Sequence, residues 1–253
     1  IYKHFFPIYK SYTSVFCLSL INRTVGGNTM HSELLKKVPL FEGLTHEELE
    51  GLSQVAMLRV FPKDRVVIMA EEEGDSLFVI HSGRVKVSIV SEDGREVILS
   101  ILSTGNFFGE MALLDGNPRS ANVTTMEETE LLMVRRADFL RFIQLAPQVA
   151  IKLLAVLAQR LRKTDRKIEG LALSDVTGRI TQTLLQLAEE HGTPTKDGIL
   201  IKNRPTHQDL ANMSGTTRET VSRVLKRLET QGYIIPKSKD LLITGTDLPI
   251  SDS

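Results

Sequence analysis

The 253-residue sequence predicts an α+β protein with an N-terminal jelly-roll-like β-roll, a long helix and a C-terminal winged helix-turn-helix. Three observations lead to this prediction. Between residues 59 and 133, apolar side chains recur at every second position and glycines are frequent, as in short antiparallel strands. After Pro147 the apolar spacing becomes helical. Near the C-terminus a glycine separates two short helical patterns, and a hairpin pattern follows them.

The predicted β-roll occupies residues 30–146 and rests on local strand and turn signals. Val85, Val87 and Ile89 alternate with polar residues, which is the pattern of a strand with one buried face. Gly94, preceded by an aspartate, lies between two such runs, and this dipeptide is typical of a tight hairpin turn. Short strands at roughly ten-residue spacing favour a roll or a sandwich over a parallel sheet.

A long helix is predicted over residues 147–174, and one of its faces carries a heptad pattern. The positions of this face are spaced alternately four and three residues apart; they are Ala150, Leu154, Leu157, Leu161, Thr164, Ile168 and Leu171. Because the opposite face is strongly charged, we expect a seam between two copies of the chain, and therefore a homodimer. A helix buried in the core of a single chain is the alternative interpretation.

The C-terminal part, residues 175–248, contains the pattern of a helix-turn-helix. Thr206 is placed to cap a first helix, with Asp209 three residues later, and Gly215 suits the left-handed turn position between two helices. Residues 199–239 hold eight basic residues against three acidic ones, although the whole chain has 31 of each. This asymmetry favours a polyanionic partner, with a helical hairpin and a solvated basic face as the alternative.

The second helix of the pair has the side chains of a helix that reads the major groove of double-stranded DNA. Arg218 suits a guanine edge, Glu219 can accept a hydrogen bond from a cytosine amino group, and Arg223 suits a second base or a phosphate. A dimer would bind a palindromic operator. The predicted DNA contacts are Thr206, His207, Thr217, Arg218, Glu219, Ser222, Arg223 and Lys226.

Four short motifs give the chain a resemblance to a known family. They are SDVTGRI at residues 174–180, TRETV at residues 217–221, FGEMALL at residues 108–114 and NPRSA at residues 117–121. With the rest of roughly residues 33–245, they resemble the superfamily of bacterial transcription regulators named after the cyclic AMP receptor protein and the fumarate-nitrate regulator. The resemblance implies a regulator whose DNA binding is controlled allosterically by a cyclic nucleotide, without a tightly bound cofactor.

By this resemblance, the second pair of motifs is the phosphate-binding cassette of a cyclic nucleotide site. Gly109 would allow the backbone to approach a phosphate, Glu110 would accept a hydrogen bond from a ribose hydroxyl, and Arg119 would form a two-pronged contact with the phosphate. Surface ion pairs are the alternative for the charged residues. The predicted effector contacts are Gly109, Glu110, Met111, Arg119, Ser120 and Ala121, joined on the long helix by Thr164 and Asp165.

The sequence departs from the family pattern at the contact to the base. The family offers a threonine followed by a serine to adenine, whereas Thr164 is followed here by Asp165. A carboxylate accepts hydrogen bonds without donating them, which suits the adjacent donors of guanine better than adenine. The cassette favours cyclic AMP as the effector, and Asp165 makes cyclic GMP and cyclic di-GMP the alternatives. A ligand-independent regulator of the same family is a further alternative.

Other features narrow the function. A single cysteine, Cys17, cannot form an internal disulfide or a cysteine iron–sulfur site, so a metal cluster is not expected as the sensor. The sequence shows no pairing of a nucleophile with a base, so we do not expect an enzyme. Residues 1–29 differ in composition and are interpreted as a leader, disordered or not native, with Met30 as the natural start. No later segment is apolar over about 18 residues, so we predict a cytoplasmic protein without membrane contact. RNA polymerase is a candidate partner, at a predicted loop over residues 191–198.

Overall fold

The computed structural model describes residues 35–36 and 38–245. The predicted leader, Cys17, Met30 and residues 246–248 of the predicted DNA-binding domain lie outside the described residues. Within the described part, the chain forms a β-roll, a long helix and a winged helix-turn-helix in that order, which confirms the predicted fold class.

The β-roll consists of antiparallel strands within residues 57–135. They are β1 (Met57–Phe61), β2 (Val66–Ile68), β3 (Ser76–Ser82), β4 (Arg84–Val90), β5 (Glu96–Ser103), β6 (Phe107–Phe108), β7 (Asn122–Thr125) and β8 (Thr129–Arg135). One sheet has the order β1-β8-β3-β6 and the other the order β2-β7-β4-β5. The hairpin predicted at Gly94 joins β4 to β5.

Helices cover the first sheet and connect it to the next part of the chain. They are α1 (His46–Val55), α2 (Glu110–Asp115) and α3 (Arg136–Leu145). Leu52 of α1 and Phe139 of α3 are buried in one apolar cluster with Leu77 of β3. Between the sheets, the rings of Phe78 and Phe108 stack at 5.2 Å and hold the strand that leads into α2.

The long helix α4 (Gln148–Leu173) coincides with the predicted helix. Its first turns pack on the β-roll through Val149 and Leu153, which are buried. Most of the predicted heptad face is exposed, with 60–66% of the side chain accessible at Leu154, Leu161, Ile168 and Leu171. Leu157 departs from the predicted seam because it is partly buried against the core of the β-roll.

Within residues 38–245, we find no single helix that combines the length and the apolarity needed to cross a bilayer. The helices α3 and α4 meet these criteria of length and composition only as a pair, with a bend of 114° between them.

The second domain contains the predicted helix-turn-helix and wing. Its elements are α5 (Val176–His191), β9 (Gly192–Thr195), β10 (Gly198–Ile201), α6 (His207–Ser214), α7 (Arg218–Thr230), β11 (Ile234–Lys237) and β12 (Asp240–Ile243). The strands form one antiparallel sheet of order β11-β12-β10-β9, beside the helices.

Two details of this domain differ from the predictions. By its resemblance to the family, the motif at residues 174–180 implies a hinge over residues 174–178. In the structure this hinge is confined to Ser174 and Asp175, because the Asp175 side chain caps α5 and Gly178 already belongs to that helix. The loop predicted over residues 191–198 is wrong, because the chain forms the β9–β10 hairpin there.

Strand β5 belongs to both domains. Its Ile98 and Ile101 side chains are buried in the apolar core of the second domain. Glu96 accepts a hydrogen bond of 2.9 Å from Asn212 Nδ2 on α6 and pairs with Lys86 Nζ of β4 at 2.7 Å. The β4–β5 hairpin therefore connects the β-roll physically to the helix-turn-helix.

Candidate functional sites

The predicted cassette is built around the buried guanidinium of Arg119, which is 8% exposed. Its Nη1 and Nη2 groups each donate a hydrogen bond of 2.8 Å, to the carbonyl oxygens of Gly109 and Ser76. A Cβ at Gly74 would lie 2.2 Å from Arg119 Nε, and a Cβ at Gly109 would lie 2.7 Å from Nη1. Gly109 also adopts a φ of +84°. The guanidinium itself therefore needs the space that these glycines leave.

Arg119 is a cation with little access to water. Burial lowers the pKa of its guanidinium, while the nearby charges of Asp75 and Glu110 raise it. Among the described residues, no carboxylate forms an ion pair with Arg119, whose two hydrogen bonds go to backbone carbonyls. Because a guanidinium stays protonated in proteins, its remaining N–H groups can bind an anion such as a phosphate.

Glu110 is held by a residue that the sequence analysis missed. The carboxylate is 3% exposed, and its Oε1 accepts a hydrogen bond of 2.7 Å from Arg160 Nη1 on α4. The same guanidinium donates to the carbonyl oxygen of Phe107 and lies over its ring at 4.8 Å. Arg160 stands one helical turn before Thr164, and that spacing is the signal that could have identified it.

The remaining cassette residues surround this charged centre. Met111 is half exposed, and its Sδ atom lies 3.6 Å from the hydroxyl of Ser120, which is a weak contact. Ala121 is buried beside them. The structure therefore brings together all six residues that were predicted for the cassette, Gly109, Glu110, Met111, Arg119, Ser120 and Ala121.

A cavity of about 940 Å³ lies between the cassette, β5, α4 and the end of α5. Thr164 lines it, and its hydroxyl donates a hydrogen bond of 3.1 Å to the carbonyl oxygen of Arg160. Asp165 is exposed and lies outside the lining of this cavity. Of the two base contacts predicted on α4, the single chain therefore places one in the cavity.

The helix-turn-helix is shaped by local capping. Thr206 accepts a hydrogen bond from the backbone of Asp209, whose side chain accepts one from the backbone of Thr206 in return. Thr217 caps α7 by accepting a hydrogen bond from the backbone of Thr220, and Gly215 between the helices has a φ of +63°. The contacts at Thr206 and the conformation of Gly215 confirm the predicted cap of the first helix and the predicted turn. The buried face of α7 consists of Val221, Val224, Leu225 and Leu228.

The opposite face of α7 carries the predicted DNA contacts. The exposed ones are Thr217, Arg218, Glu219, Arg223 and Lys226. Ser222 is partly buried, and its Oγ lies 2.8 Å from Nδ1 of His207 on α6. Burial lowers the pKa of His207, and the charges of Arg204 and Arg218 lower it further. His207 and Ser222 therefore join the two helices as well as lying on the predicted DNA face.

The position of this face depends on a buried polar contact that the sequence analysis missed. The hydroxyls of Thr183 on α5 and Ser214 on α6 lie 3.0 Å apart. Arg179 Nε donates a hydrogen bond of 3.0 Å to the carbonyl oxygen of Ser214, and Nη1 donates one of 3.1 Å to that of Ser174. The helix-turn-helix is therefore fixed to the junction between α4 and α5.

Comparison with known proteins matches both domains. Residues 58–145 match the cyclic nucleotide-binding domain, and residues 178–248 match the Crp-like helix-turn-helix domain. The CRP-like cAMP-activated global transcriptional regulator of Mycobacterium tuberculosis is 32% identical over 215 residues, 85% of this chain and 96% of the relative. The cAMP-activated global transcriptional regulator CRP of Pasteurella multocida is 40% identical over 200 residues, 78% of this chain and 95% of the relative.

A solved structure shares the whole architecture. The c-di-GMP responsive global regulator CLP of Xanthomonas campestris aligns with a TM-score of 0.68 at 28% identity, covering 80% of this chain and 100% of that one. These similar proteins are transcription regulators, which agrees with the prediction that the chain is not an enzyme.

Proposed function

Because the chain belongs to the CRP/FNR family of transcription regulators, we propose that it is a homodimeric, sequence-specific DNA-binding protein controlled by a cyclic nucleotide. The observation that carries this proposal is the buried guanidinium of Arg119 at the wall of the cavity, with which no carboxylate of the described residues forms an ion pair. A cyclic phosphate would supply an ion-pair partner for it. Glu110 would accept from the ribose hydroxyl, in place of or beside its contact with Arg160.

Cyclic AMP is the first candidate effector. Two relatives at 32% and 40% identity are named cAMP-activated regulators, and the cassette resembles that of their family. Asp165 keeps cyclic GMP as an alternative, provided that a second copy of the chain places its Asp165 at the base. Cyclic di-GMP is the other alternative, because the similar regulator of Xanthomonas campestris responds to it.

The dimer would form along α4. The exposed stripe of Leu154, Leu161, Ile168 and Leu171 is apolar and follows heptad spacing, which is the pattern of a seam between two helices. In that dimer, the two α7 helices would enter successive major grooves of a palindromic operator, about 34 Å apart. RNA polymerase contact at the β9–β10 hairpin and a cytoplasmic location remain predictions.

The DNA contacts follow from the exposed face of α7. Arg218 would bind a guanine edge, Glu219 would accept from a cytosine, and Arg223 would bind a second base or a phosphate. Contacts to the phosphate backbone of the DNA would fix the register of the helix. We assign them to Thr206, Thr217 and Lys226, with His207 and Ser222 between them.

Titration calorimetry of the full chain with cyclic AMP, cyclic GMP and cyclic di-GMP tests the effector. We expect one of them to bind, and Arg119→Gln to weaken that binding by about 2–5 kcal/mol, since a buried phosphate loses its charge partner. Arg141→Gln, at an exposed position on α3, is the matched control and should bind as the wild type does. Absence of binding by all three nucleotides would favour the ligand-independent alternative.

A further inference from the structure

The effector cavity is walled by both domains of the chain. Beyond the cassette, its lining comes from α4 and from the end of α5, which is the first helix of the DNA-binding domain. We name this part of the lining the far wall; it consists of Lys163, Thr164 and Lys167 of α4 and Gln186, Glu189, Glu190 and His191 of α5. A ligand that fills the cavity would therefore contact the DNA-binding domain of the same chain.

The far wall carries charges of both signs. It contains two lysines and two glutamates, so an anion would meet carboxylates as well as ammonium groups. Lys163 Nζ pairs with Glu190 Oε1 at 2.8 Å, and Lys167 Nζ donates a hydrogen bond of 2.6 Å to the carbonyl oxygen of Leu99 on β5. Because both cations already have partners, the wall suits a neutral group with hydrogen-bond donors and acceptors, such as a nucleobase.

The order of residues along α4 brings the far wall to the level of the base. Arg160 holds Glu110, the predicted contact to the ribose. Three residues of the far wall follow Arg160 on the same helix face, at spacings of three, four and seven residues: Lys163, Thr164 and Lys167. The predicted base contact, Thr164, stands one turn or about 6 Å further along the helix than Arg160. A nucleotide with its ribose at Glu110 would therefore direct its base toward the far wall.

Glu190 offers such a base a hydrogen-bond acceptor. Its side chain is 19% exposed, and its Oε1 atom pairs with Lys163 and accepts a hydrogen bond of 2.9 Å from Gln186 Nε2. These two contacts hold the carboxylate in place. Its other oxygen, Oε2, accepts no hydrogen bond from the described residues, since His191 Nε2 at 3.8 Å is too distant to donate one. This oxygen can therefore accept from an amino group of a purine.

We propose that Glu190 is a specificity-determining residue, whose Oε2 atom accepts a hydrogen bond from the exocyclic amino group of the effector's purine base. The inference rests on the proposed function, in which the cassette holds the phosphate and ribose of the same nucleotide. Adenine and guanine both carry such an amino group, whereas hypoxanthine and unsubstituted purine lack it. Because Thr183 of α5 contacts Ser214 of α6, the base would be linked to the helix-turn-helix within one chain.

Titration calorimetry of the full chain tests this contact with pairs of nucleotides that differ only in the amino group. Cyclic AMP is paired with its analogue that contains unsubstituted purine, and cyclic GMP and cyclic di-GMP are paired with analogues that contain hypoxanthine instead of guanine. For the effector that binds the wild type, we expect loss of the amino group to weaken binding about tenfold, since a hydrogen bond to a charged acceptor is lost. In Glu190→Ala, both members of the pair should bind equally.

Two further variants control for the loss of an ion pair. Glu42→Ala is the matched control, because Glu42 pairs with Lys152 of α4 at 3.1 Å outside the cavity, and it should keep the tenfold preference. Lys163→Gln removes the ion pair but leaves the Glu190 carboxylate, and it should keep the preference as well. Equal loss of the preference in Lys163→Gln and Glu190→Ala would assign the effect to the packing of α4 against α5 and overturn the proposal. So would a wild type that binds both nucleotides of the pair equally.

The variant Arg119→Gln separates this inference from the proposed function. If Arg119→Gln abolishes binding while Glu190→Ala keeps the full preference of the wild type, the cassette stands and the base contact fails. If Arg119→Gln binds normally and the preference still depends on Glu190, the base contact stands and the proposed role of the cassette fails. If none of the nucleotides binds the wild type, both fail together.

Discussion

The effector cavity and the recognition helix α7 hold their charges in opposite ways. Arg119 and Glu110 are 8% and 3% exposed, whereas Arg218, Glu219 and Arg223 are exposed to solvent. A buried charge is held in place by the fold and requires an opposite charge or hydrogen bonds to stabilise it. An exposed charge is screened by solvent and adds little to stability. Substitutions in the cavity should therefore change folding and ligand binding together, and substitutions on α7 should change DNA binding alone.

The largest effect is expected at the glycine that makes room for Arg119. Gly109→Ala combines a φ of +84° with a Cβ 2.7 Å from Arg119 Nη1, so we expect a loss of about 3 kcal/mol of stability and of nucleotide binding. Gly116→Ala is the matched control, with a φ of +72° and nothing within 4 Å of its Cβ, and should cost about 1 kcal/mol. Denaturant titration measures the stability of each variant, and calorimetry measures its nucleotide binding. Equal losses in Gly109→Ala and Gly116→Ala would show that the guanidinium does not need this space.

The exposed face of α4 is a third kind of surface, apolar where α7 is charged. Replacing Leu161 and Ile168 together with Glu should place like charges across the dimer seam and weaken the dimer by about 2 kcal/mol or more. Leu157 is unsuitable for this test because it packs against the β-roll. Sedimentation should show monomers for the double variant and dimers for Arg166→Glu, and a dimeric double variant would place the interface elsewhere.

On α7, Arg218→Ala should cost about 1–3 kcal/mol of DNA affinity and relax the preference at one base pair. Lys202→Ala should lower the affinity for all DNA sequences about equally, since a phosphate contact carries no sequence information. Selection of binding sites from a random pool measures both. An unchanged profile for Arg218→Ala would remove its assigned role, and a loss of protein stability would contradict the contrast with the cavity.

The smallest effect is expected at Thr181 of α5. Its hydroxyl is fully buried and has no hydrogen-bond partner within the described chain. Thr181→Val should therefore leave ligand and DNA binding unchanged and stabilise the protein by up to about 1 kcal/mol, measured by denaturant titration. Destabilisation would indicate that the hydroxyl has a partner in solution.

The parts of the structure that were predicted correctly depend on local signals. The turn at Gly94 and the cap at Thr206 are encoded within a few residues, and the structure contains both. The periodicity of α4 likewise fixed its length, because a heptad pattern is visible in any single helix.

The predictions that failed concern contacts between segments that are distant in the sequence. Arg160 reaches Glu110 across 50 residues of sequence, and this ion pair depends on how α4 packs beside the cassette. Leu157 fits the heptad, yet the β-roll covers it. The segment after His191 contains proline and glycine and looked like a loop, whereas pairing with β12 makes β10 a strand of a larger sheet.

The central claim is that a nucleotide at Arg119 changes DNA binding at α7. Fluorescence anisotropy with a labelled palindromic operator, selected by this protein, measures DNA affinity with and without the nucleotide that binds. We expect the nucleotide to raise the affinity of the wild type by about 5–150-fold and to leave that of Arg119→Gln unchanged. Equal DNA affinities of the wild type in the presence and absence of bound nucleotide would contradict the account.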